Sequence, residues 1–323
     1  MNVIQLVPTS QRRTLDELLD RLDLATGEAP AKRSAFWIML TLSAVIAASG
    51  VAGDSTATVI GAMIVAPLSI PILGIGLGLS SGRGDLVARS LLIVLAGTAV
   101  VLLIGYTISQ ILPNPTNVLS NSQVVGRTSP KLMDLAAALA TGFVGVIAMI
   151  RRDVGDVLPG VAIAISLVPP LAVAGVCLGA GAPSLAFGAV ILFGSNMLAM
   201  IVTATVVLVM TGYAREAGHG DTPRGRTYAV LASALLIVAV PMVVNSMSSA
   251  WSAQVAEATE VWLGDGVESQ VTDVSLQHDI VTIHVLSPND LPPTNDLQDM
   301  VNPIVPWNPQ VIVVHTVGGR IAG

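Results

Sequence analysis

The stretch Gly61–Leu79 constrains this chain most, because it combines an apolar, membrane-like composition with residues that break helices. It reads GAMIVAPLSIPILGIGLGL, with Pro67 and Pro71 near its centre and Gly74 after them. Proline removes an amide donor and clashes with the preceding helical turn. We therefore expect the helix to break at mid-membrane depth, where the freed backbone groups need surrounding protein or a water-filled cavity.

A second stretch, Gly160–Leu178, repeats this pattern 99 residues later and reads GVAIAISLVPPLAVAGVCL. In this gapless register, Pro71 aligns with Pro170 and Gly76 with Gly175. Interruptions by proline or glycine at matching positions are typical of transporters built from duplicated halves. The sequence therefore predicts an internal duplication.

The composition indicates a polytopic membrane protein. The chain has 323 residues, of which 53% are hydrophobic and 11% charged, and its mean hydropathy is +0.76. A soluble domain carries about 25% charged residues. The single cysteine, Cys177, excludes an intrachain disulfide. We expect no cleavable signal peptide, because residues 1–34 mix both charge signs and contain no leading apolar run.

Seven apolar spans are expected if each crossing needs about 20 residues. They are 35–53, 56–80, 87–111, 132–150, 157–180, 185–212 and 227–248. Counted over alternate connections, twelve Lys and Arg residues fall on one side and three on the other. The positive-inside rule then predicts a cytoplasmic N-terminus, and seven crossings place the C-terminal domain outside.

The predicted fold is an all-α polytopic membrane bundle with 3+3 inverted repeats and broken helices, plus a small C-terminal α+β domain. The repeats are 35–111 and 132–212. Because each contains three spans, the second enters the membrane from the opposite side. The extra span 227–248 contains Pro241, where we expect a kink. The alternative interpretation is that the proline-containing helices are simply bent and buried.

Two segments flank the membrane domain 35–248. Residues 1–34 are expected to form a cytoplasmic head, in which Thr14 and Glu17 have the spacing of a capping box and a leucine pattern predicts an amphipathic helix. Residues 249–323 are expected to form an extracytoplasmic domain with an antiparallel sheet. Its predicted elements are a helix at 252–263, a hairpin of strands 270–276 and 280–286, a helix at 293–301 and a strand at 311–317.

The run AMIVAPLxxP from Ala62 to Pro71, followed by glycine-rich sequence, resembles a prokaryotic family of hydrophobic integral membrane proteins catalogued as domain of unknown function 389. The resemblance covers nearly all of residues 35–248. It implies a multi-pass protein of the prokaryotic cytoplasmic membrane. It brings no substrate and no catalytic residues.

The two breaks and one polar pair are the candidate pathway for a substrate or ion. Half-helix termini at mid-membrane carry partial charges that can hold ions or charged groups. The candidates are Pro67, Ser69, Pro71 and Gly74 at the first break, Ser166, Pro169, Pro170 and Gly175 at the second, and Ser195 and Asn196 in the sixth span. The alternative is structural: kinks satisfied by neighbouring Ser or Thr, and a polar pair used for interhelical hydrogen bonds.

Three aspartates precede the broken spans, Asp54 before the first and Asp153 and Asp156 before the second. They are candidates for a gate, or alternatively for helix N-caps at opposite membrane faces. No span carries a clearly central ionisable residue, which weakens a proton relay.

Enzymatic, metal and nucleic-acid functions are not expected. The sequence has no Walker motif, nucleophile elbow or His-Glu-x-x-His motif. His284 and His315 lie on predicted strands, but their spacing is a poor metal signature. A net charge of −6 disfavours nucleic acid. We therefore expect no cofactor.

Two functional hypotheses remain. The first is a transporter or channel for an unidentified small solute or ion. The second is a non-transporting membrane scaffold or sensor, whose outer domain binds a ligand or partner. Under both, the partners are the lipid bilayer and other copies of the chain, because spans rich in small residues favour a homo-oligomer.

Overall fold

The computed structural model describes residues 7–8, 10–111, 120–154, 167–218, 225–264, 269–277 and 280–318. The chain divides into two compact units, Met1–Met242 and Val243–Gly323. The elements are α1 (Leu15–Leu22), α2 (Ala29–Ala52), α3 (Thr56–Val65), α4 (Ser69–Ser81), α5 (Gly84–Ile111), α6 (Ser122–Thr128), α7 (Leu132–Ile150), α8 (Val168–Gly179), α9 (Pro183–Met210), α10 (Tyr213–Glu216), α11 (Gly225–Leu263), β1 (Gln270–Gln277), β2 (Ile280–Ser287), α12 (Thr294–Val301) and β3 (Gln310–Val317).

The long apolar helices indicate a multi-pass membrane protein. Among the described residues, α2, α5, α7, α9 and α11 are long and apolar enough to cross a membrane, and α3 with α4 makes a sixth such span, bent by 48°. Of the predicted span 157–180, the structure describes only residues 167–180, which are α8 and one residue on either side of it. The predicted span 227–248 and helix 252–263 belong to one helix, α11, which runs through Pro241.

One face of the first unit, here called the head face, carries the head residues 10–24 and the starts of α2 and α5. Lys32, in the first turn of α2, pairs with Asp20 at 2.5 Å. Arg89, near the start of α5, lies 3.4 Å from the carboxylate of Asp23. Both helices therefore begin at the face that the head covers.

The ends of α7 and α9 reach the same head face. The amide of Arg13 donates to the carbonyl of Ile150, the last residue of α7, at 2.8 Å. The guanidinium of Arg12 pairs with Glu216 of α10, which follows α9, at 2.7 Å. Two spans thus leave the head face and two return to it.

The opposite side of the first unit is here called the distal face, defined by Val51, Gln110, Asn121 and Gly179. The side-chain amide of Asn121 donates to the carbonyl of Val51 at the end of α2, at 2.7 Å. The side-chain amide of Gln110, near the end of α5, donates to the carbonyl of Gly179 at the end of α8, also at 2.7 Å. The pair α3–α4 therefore runs from the distal face to the head face, whereas α8 ends at the distal face.

Two short helices, α4 and α8, lie in the core of the first unit. Nearly every residue of α4 is buried, as are the first ten residues of α8. Both are packed between α5 and α9. A helix that is apolar on all sides must be covered by other helices, which explains their central place.

The second unit contains a three-stranded sheet with the order β1-β2-β3. Its central strand β2 alternates between buried and more exposed residues, and its buried Val281, Ile283 and Val285 pack with Leu297 of α12 and Val255 of α11. The indole of Trp262 donates to the carbonyl of Pro293 at 3.1 Å.

The prediction of an antiparallel sheet was wrong for the third strand. Strands β1 and β2 form the expected antiparallel hairpin, but β3 pairs in parallel with β2, with Ile280 opposite Gln310 and Ser287 opposite Val317. The reason is the connection: α12 lies between β2 and β3, and a helical crossover returns the chain parallel to the strand it left.

Candidate functional site

The first predicted break lies between α3 and α4. Helix α3 ends at Val65 and α4 begins at Ser69, with an angle of 48° between them. Pro67 lies in the connection and Pro71 is the third residue of α4. The chain therefore changes direction at the prolines that the sequence analysis singled out.

The proline rings explain where the helical hydrogen bonding stops. Pro67 has no amide to donate to the carbonyl of Met63, and Pro71 has none for the carbonyl of Pro67. The Pro67 carbonyl instead accepts from the amide of Ile70 at 3.1 Å. Pro71 itself costs little, because the first turn of a helix has no acceptors to lose.

A neighbouring helix supplies a further partner at this break. The hydroxyl of Ser43 on α2 donates to the carbonyl of Ala62 at 2.8 Å, and both residues are buried. Ala62 lies in the last turn of α3, whose final four carbonyls have no partner within the helix. This contact is the structural alternative considered above: a kink whose freed backbone is satisfied by a serine.

Protein covers most residues of the first break, whereas Pro67 is half-buried. Leu68 is fully buried, Ser69 is 9% exposed and Pro71 is buried. Gly74 lies one turn deeper into α4, where a Cβ would be 3.0 Å from the carbonyl oxygen of Leu22 in the head. The first break therefore contains Pro67, Ser69 and Pro71, whereas Gly74 packs against the head.

The second predicted break falls only partly within the described residues. Helix α8 begins at Val168 and carries Pro169 and Pro170 in its first turn, all of them buried. Ser166 lies outside the described residues. Gly175 packs closely against α5, because a Cβ on it would lie 2.5 Å from the carbonyl oxygen of Leu102.

The polar pair of the sixth span is buried within α9. The hydroxyl of Ser195 is fully buried and donates to the carbonyl of Leu192 in its own helix at 2.7 Å. Asn196 is 4% exposed. The Ser195 hydroxyl thus bonds within its own helix, and not across helices as the structural alternative expected.

Asp54 does not cap the helix that follows it. The N-cap of α3 is Ser55, whose hydroxyl accepts from the amide of Thr58 at 3.3 Å. Asp54 turns away with a φ of 49°, and its carboxylate accepts from the Ser122 hydroxyl at 2.6 Å and the Gln123 amide at 3.2 Å. These hydrogen bonds, that from Ser122 above all, lower the pKa of Asp54. Asp54 therefore anchors α6 to the distal face.

Asp153 forms a two-point contact with Arg151 at the head face. The Arg151 Nε and Nη2 atoms donate to the two carboxylate oxygens at 2.9 and 2.5 Å. This hydrogen bonding lowers the pKa of Asp153. Asp156 lies outside the described residues, so only Asp54 and Asp153 can be placed, and they stand at opposite faces of the unit.

Sequence reasoning missed how firmly the head is joined to the ends of the spans. Arg152 donates to the carboxylate of Glu17 at 2.6 Å, which lowers the pKa of Glu17. The Tyr213 hydroxyl donates to the Arg13 carbonyl at 2.6 Å, and the Arg12 guanidinium lies 3.9 Å from the centre of the Tyr213 ring. The one available signal was the capping box of Thr14 and Glu17, which the structure forms.

The head also closes an apolar space. Leu18 and Leu22 of α1 cover a small cavity of about 10 Å³, lined on the other sides by α4, α7 and α9. A cavity of this size holds at most about one water molecule. The head helix therefore covers these three spans where they reach the head face.

The two strand histidines do not form a pair. His284 of β2 lies opposite Val314, and His315 of β3 lies opposite Val285. Because neighbouring residues of a strand point to opposite faces, the two imidazoles are on different sides of the sheet. No cluster of metal-ligating side chains occurs among the residues that the structure describes.

Comparison with known proteins identifies a family. Residues 63–202 match the model of the family described as domain of unknown function (DUF389). An uncharacterized protein of Methanocaldococcus jannaschii is 30% identical over 205 residues, which cover 63% of this chain and 63% of that protein. No solved structure matches this chain. The resemblance predicted from the sequence is therefore confirmed over residues 63–202, which match the DUF389 family model.

Proposed function

We propose that the first unit is a transporter or channel for a small solute or ion, and that its pathway passes two helix breaks of an inverted repeat. The observation that carries this proposal is the agreement of helix positions after a shift of 99 residues. Helices α5 and α9 each have 28 residues and begin at Gly84 and Pro183, and α4 and α8 begin at Ser69 and Val168. A duplication predicts this agreement.

The packing of two glycines supports the same register. A Cβ on Gly76 would lie 2.4 Å from the Cβ of Ala204, and one on Gly175 would lie 2.9 Å from the Cα of Gly105. Gly76 corresponds to Gly175 after a shift of 99 residues, and Gly105 corresponds to Ala204. The two contacts are therefore equivalent, with Ala204 in the place of Gly105. The same shift relates the next neighbours of the two glycines, which are the carbonyls of Leu102 and Ile201 and the amides of Tyr106 and Thr205.

The direction of the chain supports inversion. The pair α3–α4 crosses from the distal face to the head face. Arg152 lies at the head face and α8 ends at the distal face, so we infer the opposite direction for the second segment. Two equivalent segments with opposite directions are related by a pseudo-two-fold axis in the membrane plane. The packing partners agree with this axis, since α8 packs on α5 as α4 packs on α9.

The lengths of the half-helices support breaks inside the membrane. Helix α4 has 13 residues and α8 has 12. At 1.5 Å per residue each extends about 20 Å, which is shorter than the hydrocarbon core of about 30 Å. Each therefore begins within the membrane, where helix ends present partial charges to an ion or polar group.

Flux from proteoliposomes tests the proposal. The panel is sodium, potassium, chloride, phosphate and a set of small amino acids, each measured with wild type, with the double variant Pro71→Ala/Pro170→Ala, and with Pro183→Ala. Pro183 is the first residue of α9, a span without a break, so this variant is the matched control for loss of a proline. We expect flux of one solute class in wild type and in the control, and at least a tenfold loss in the double variant. Flux of every solute no faster with the protein than from protein-free liposomes would contradict transport.

A non-transporting scaffold or sensor is the second candidate. Two observations favour it: the cavity beneath α1 is lined by apolar side chains, and the second unit has a core of its own. This candidate predicts no flux in the panel above. It also predicts that the second unit captures a ligand or a protein partner.

We also propose that the protein is a homo-oligomer in the membrane. The support is the abundance of small residues in its spans, which lets helices approach closely in lipid. Mass-resolved chromatography in detergent and in lipid nanodiscs tests this. A monomer under both conditions would contradict it.

A further inference from the structure

We propose that the head face contains a binding site for the phosphate of an anionic phospholipid, between the N-terminal halves of α2 and α5. The site is a cavity of about 300 Å³ lined by Leu24, Ala25, Arg33, Trp37, Arg89, Leu92 and Ile93. Two of these lining residues are charged, and both are arginines. Basic pockets between spans on one side of a membrane are where anionic headgroups bind.

Each wall of this cavity changes from charged to apolar along its helix. On α2, Arg33 is followed one turn later by Trp37, and on α5, Arg89 is followed one turn later by Ile93. One helical turn is about 5.4 Å. On each helix, the arginine therefore lies about one turn nearer the helix start than the aromatic or aliphatic side chain that follows it. A glycerophospholipid has this order of groups, with its phosphate above its acyl chains.

The apolar wall faces outward. Leu92 is 67% exposed in the isolated chain, and Ile38 and Leu95 on the same two helices are 56% and 57% exposed. In a membrane protein such side chains contact lipid. An acyl chain can thus lie against Leu92 while its headgroup occupies the cavity. Trp37, which also lines the cavity, is a residue type that favours the membrane interface.

Described contacts hold the two arginines in place and leave donors for a ligand. Arg33 donates through Nε to the carbonyl of Leu24 at 3.0 Å. Arg89 donates through Nε and Nη2 to Asp85, and its Nη2 also lies 3.4 Å from the buried Asp23. Because a guanidinium has five N–H donors in a fork that matches phosphate, both arginines keep donors beyond these contacts.

The duplication does not account for this site. Shifted by 99 residues, Arg33 and Arg89 correspond to Leu132 and Gly188, which carry no charge. The arginines therefore occur at the head face alone, which is the face that the charge bias assigns to the cytoplasm. This step rests on the register used for the proposed function, whereas the cavity and its lining do not.

Native mass spectrometry with defined lipids tests the proposal. Wild type is released from detergent that contains equal amounts of phosphatidylglycerol and phosphatidylcholine with identical acyl chains. We expect wild type to retain phosphatidylglycerol preferentially, and Arg33→Gln to reduce that retention about fivefold, which is the worth of one interfacial charge. The matched control Arg83→Gln removes an exposed arginine at the same face, outside the cavity, and should retain lipid as wild type does.

Two further arms separate the alternatives. Leu92→Trp fills the cavity without removing a charge, so it should lower retention of phosphatidylglycerol even if Arg33→Gln fails to fold. Soluble glycerol phosphate in excess should leave retention unchanged, and displacement by it would assign the site to a free phosphate instead of a lipid. Equal retention of both lipids by wild type, or an equal loss in Arg83→Gln and Arg33→Gln, would overturn the proposal. None of these readouts depends on transport.

Discussion

Gly175 of α8 touches Gly105 of α5 through the backbone: a Cβ on Gly105 would lie 3.0 Å from the Cα of Gly175. Such an approach between helices requires a residue without a side chain. The equivalent contact after a shift of 99 residues joins Gly76 to Ala204, where the added methyl group faces the glycine. The two contacts hold the half-helices α4 and α8 against the two longest spans of the inferred repeats.

Substitution of Gly175 should therefore be costly. In Gly175→Ala, the new Cβ would lie 2.5 Å from the carbonyl oxygen of Leu102, so α5 and α8 must separate. We expect a loss of about 1–3 kcal/mol in the free energy of unfolding, the usual cost of overpacking. Unfolding in mixed micelles measures it. Gly61→Ala is the control, because a Cβ there meets open space, and an equal loss in both variants would contradict the close contact.

The hydrogen bond from Ser43 to Ala62 should stabilise the first break. Ser43→Ala leaves the buried carbonyl of Ala62 without this donor, and we expect a cost of about 1 kcal/mol. The matched control is Thr107→Ala, which removes an exposed hydroxyl bound only to its own helix at Leu103. Thermal unfolding in detergent should show a lower midpoint for Ser43→Ala than for the control. Equal midpoints would mean that the break does not need this donor.

The head should loosen in acid because of Glu17. The hydrogen bond from Arg152 lowers the pKa of Glu17 below its ordinary 4.5. A lowered pKa stabilises the folded state above pH 4.5, and this stabilisation is lost as the pH falls through the folded-state pKa. The thermal midpoint of Glu17→Gln should therefore lie below that of wild type at pH 7 and approach it at low pH.

Thermal midpoints measured between about pH 7 and pH 3 test this pH dependence. Asp16→Asn is the control, since it removes one charge from the same helix without touching Arg152. It should follow the wild-type pH dependence. A constant difference between Glu17→Gln and wild type at every pH would exclude the ion pair as the cause.

The orientation of the chain remains a prediction. Cysteines introduced at Ser10 and at Ser252, each in a Cys177→Ser background, should differ in their reaction with an impermeant thiol reagent added to intact cells. We expect reaction at Ser252→Cys and none at Ser10→Cys, because the charge bias places residues 1–34 in the cytoplasm. Reaction at Ser10→Cys alone would reverse the orientation.

The main elements of the first unit could be predicted from the sequence, because apolar length and proline position are local signals. The expected span 87–111 is α5, and the bend follows Val65 next to Pro67. The contacts that hold the unit together are not local. Glu17 and Arg152 are 135 residues apart, and nothing in the sequence pairs them before the spans are assembled.

Two errors have the same physical origin. Asp54 was a candidate for the N-cap of the first broken span, and only the backbone geometry assigns that cap to Ser55 and frees Asp54 for α6. The direction of β3 depends on how α12 crosses the sheet, which strand periodicity does not report. In both cases the local pattern was correct and the partner was set by tertiary packing.

Access of water to the breaks tests the central claim most directly, because it does not require the solute to be known. Single cysteines at Ser69 and Val168, the equivalent first residues of α4 and α8, are introduced in a Cys177→Ser background, with Leu95→Cys as a lipid-facing control. In proteoliposomes with a charged thiol reagent on both sides, we expect both break cysteines to react and Leu95→Cys to stay unmodified. Unreactive cysteines at both breaks, alongside full reaction at Ser252→Cys, would contradict a pathway through them.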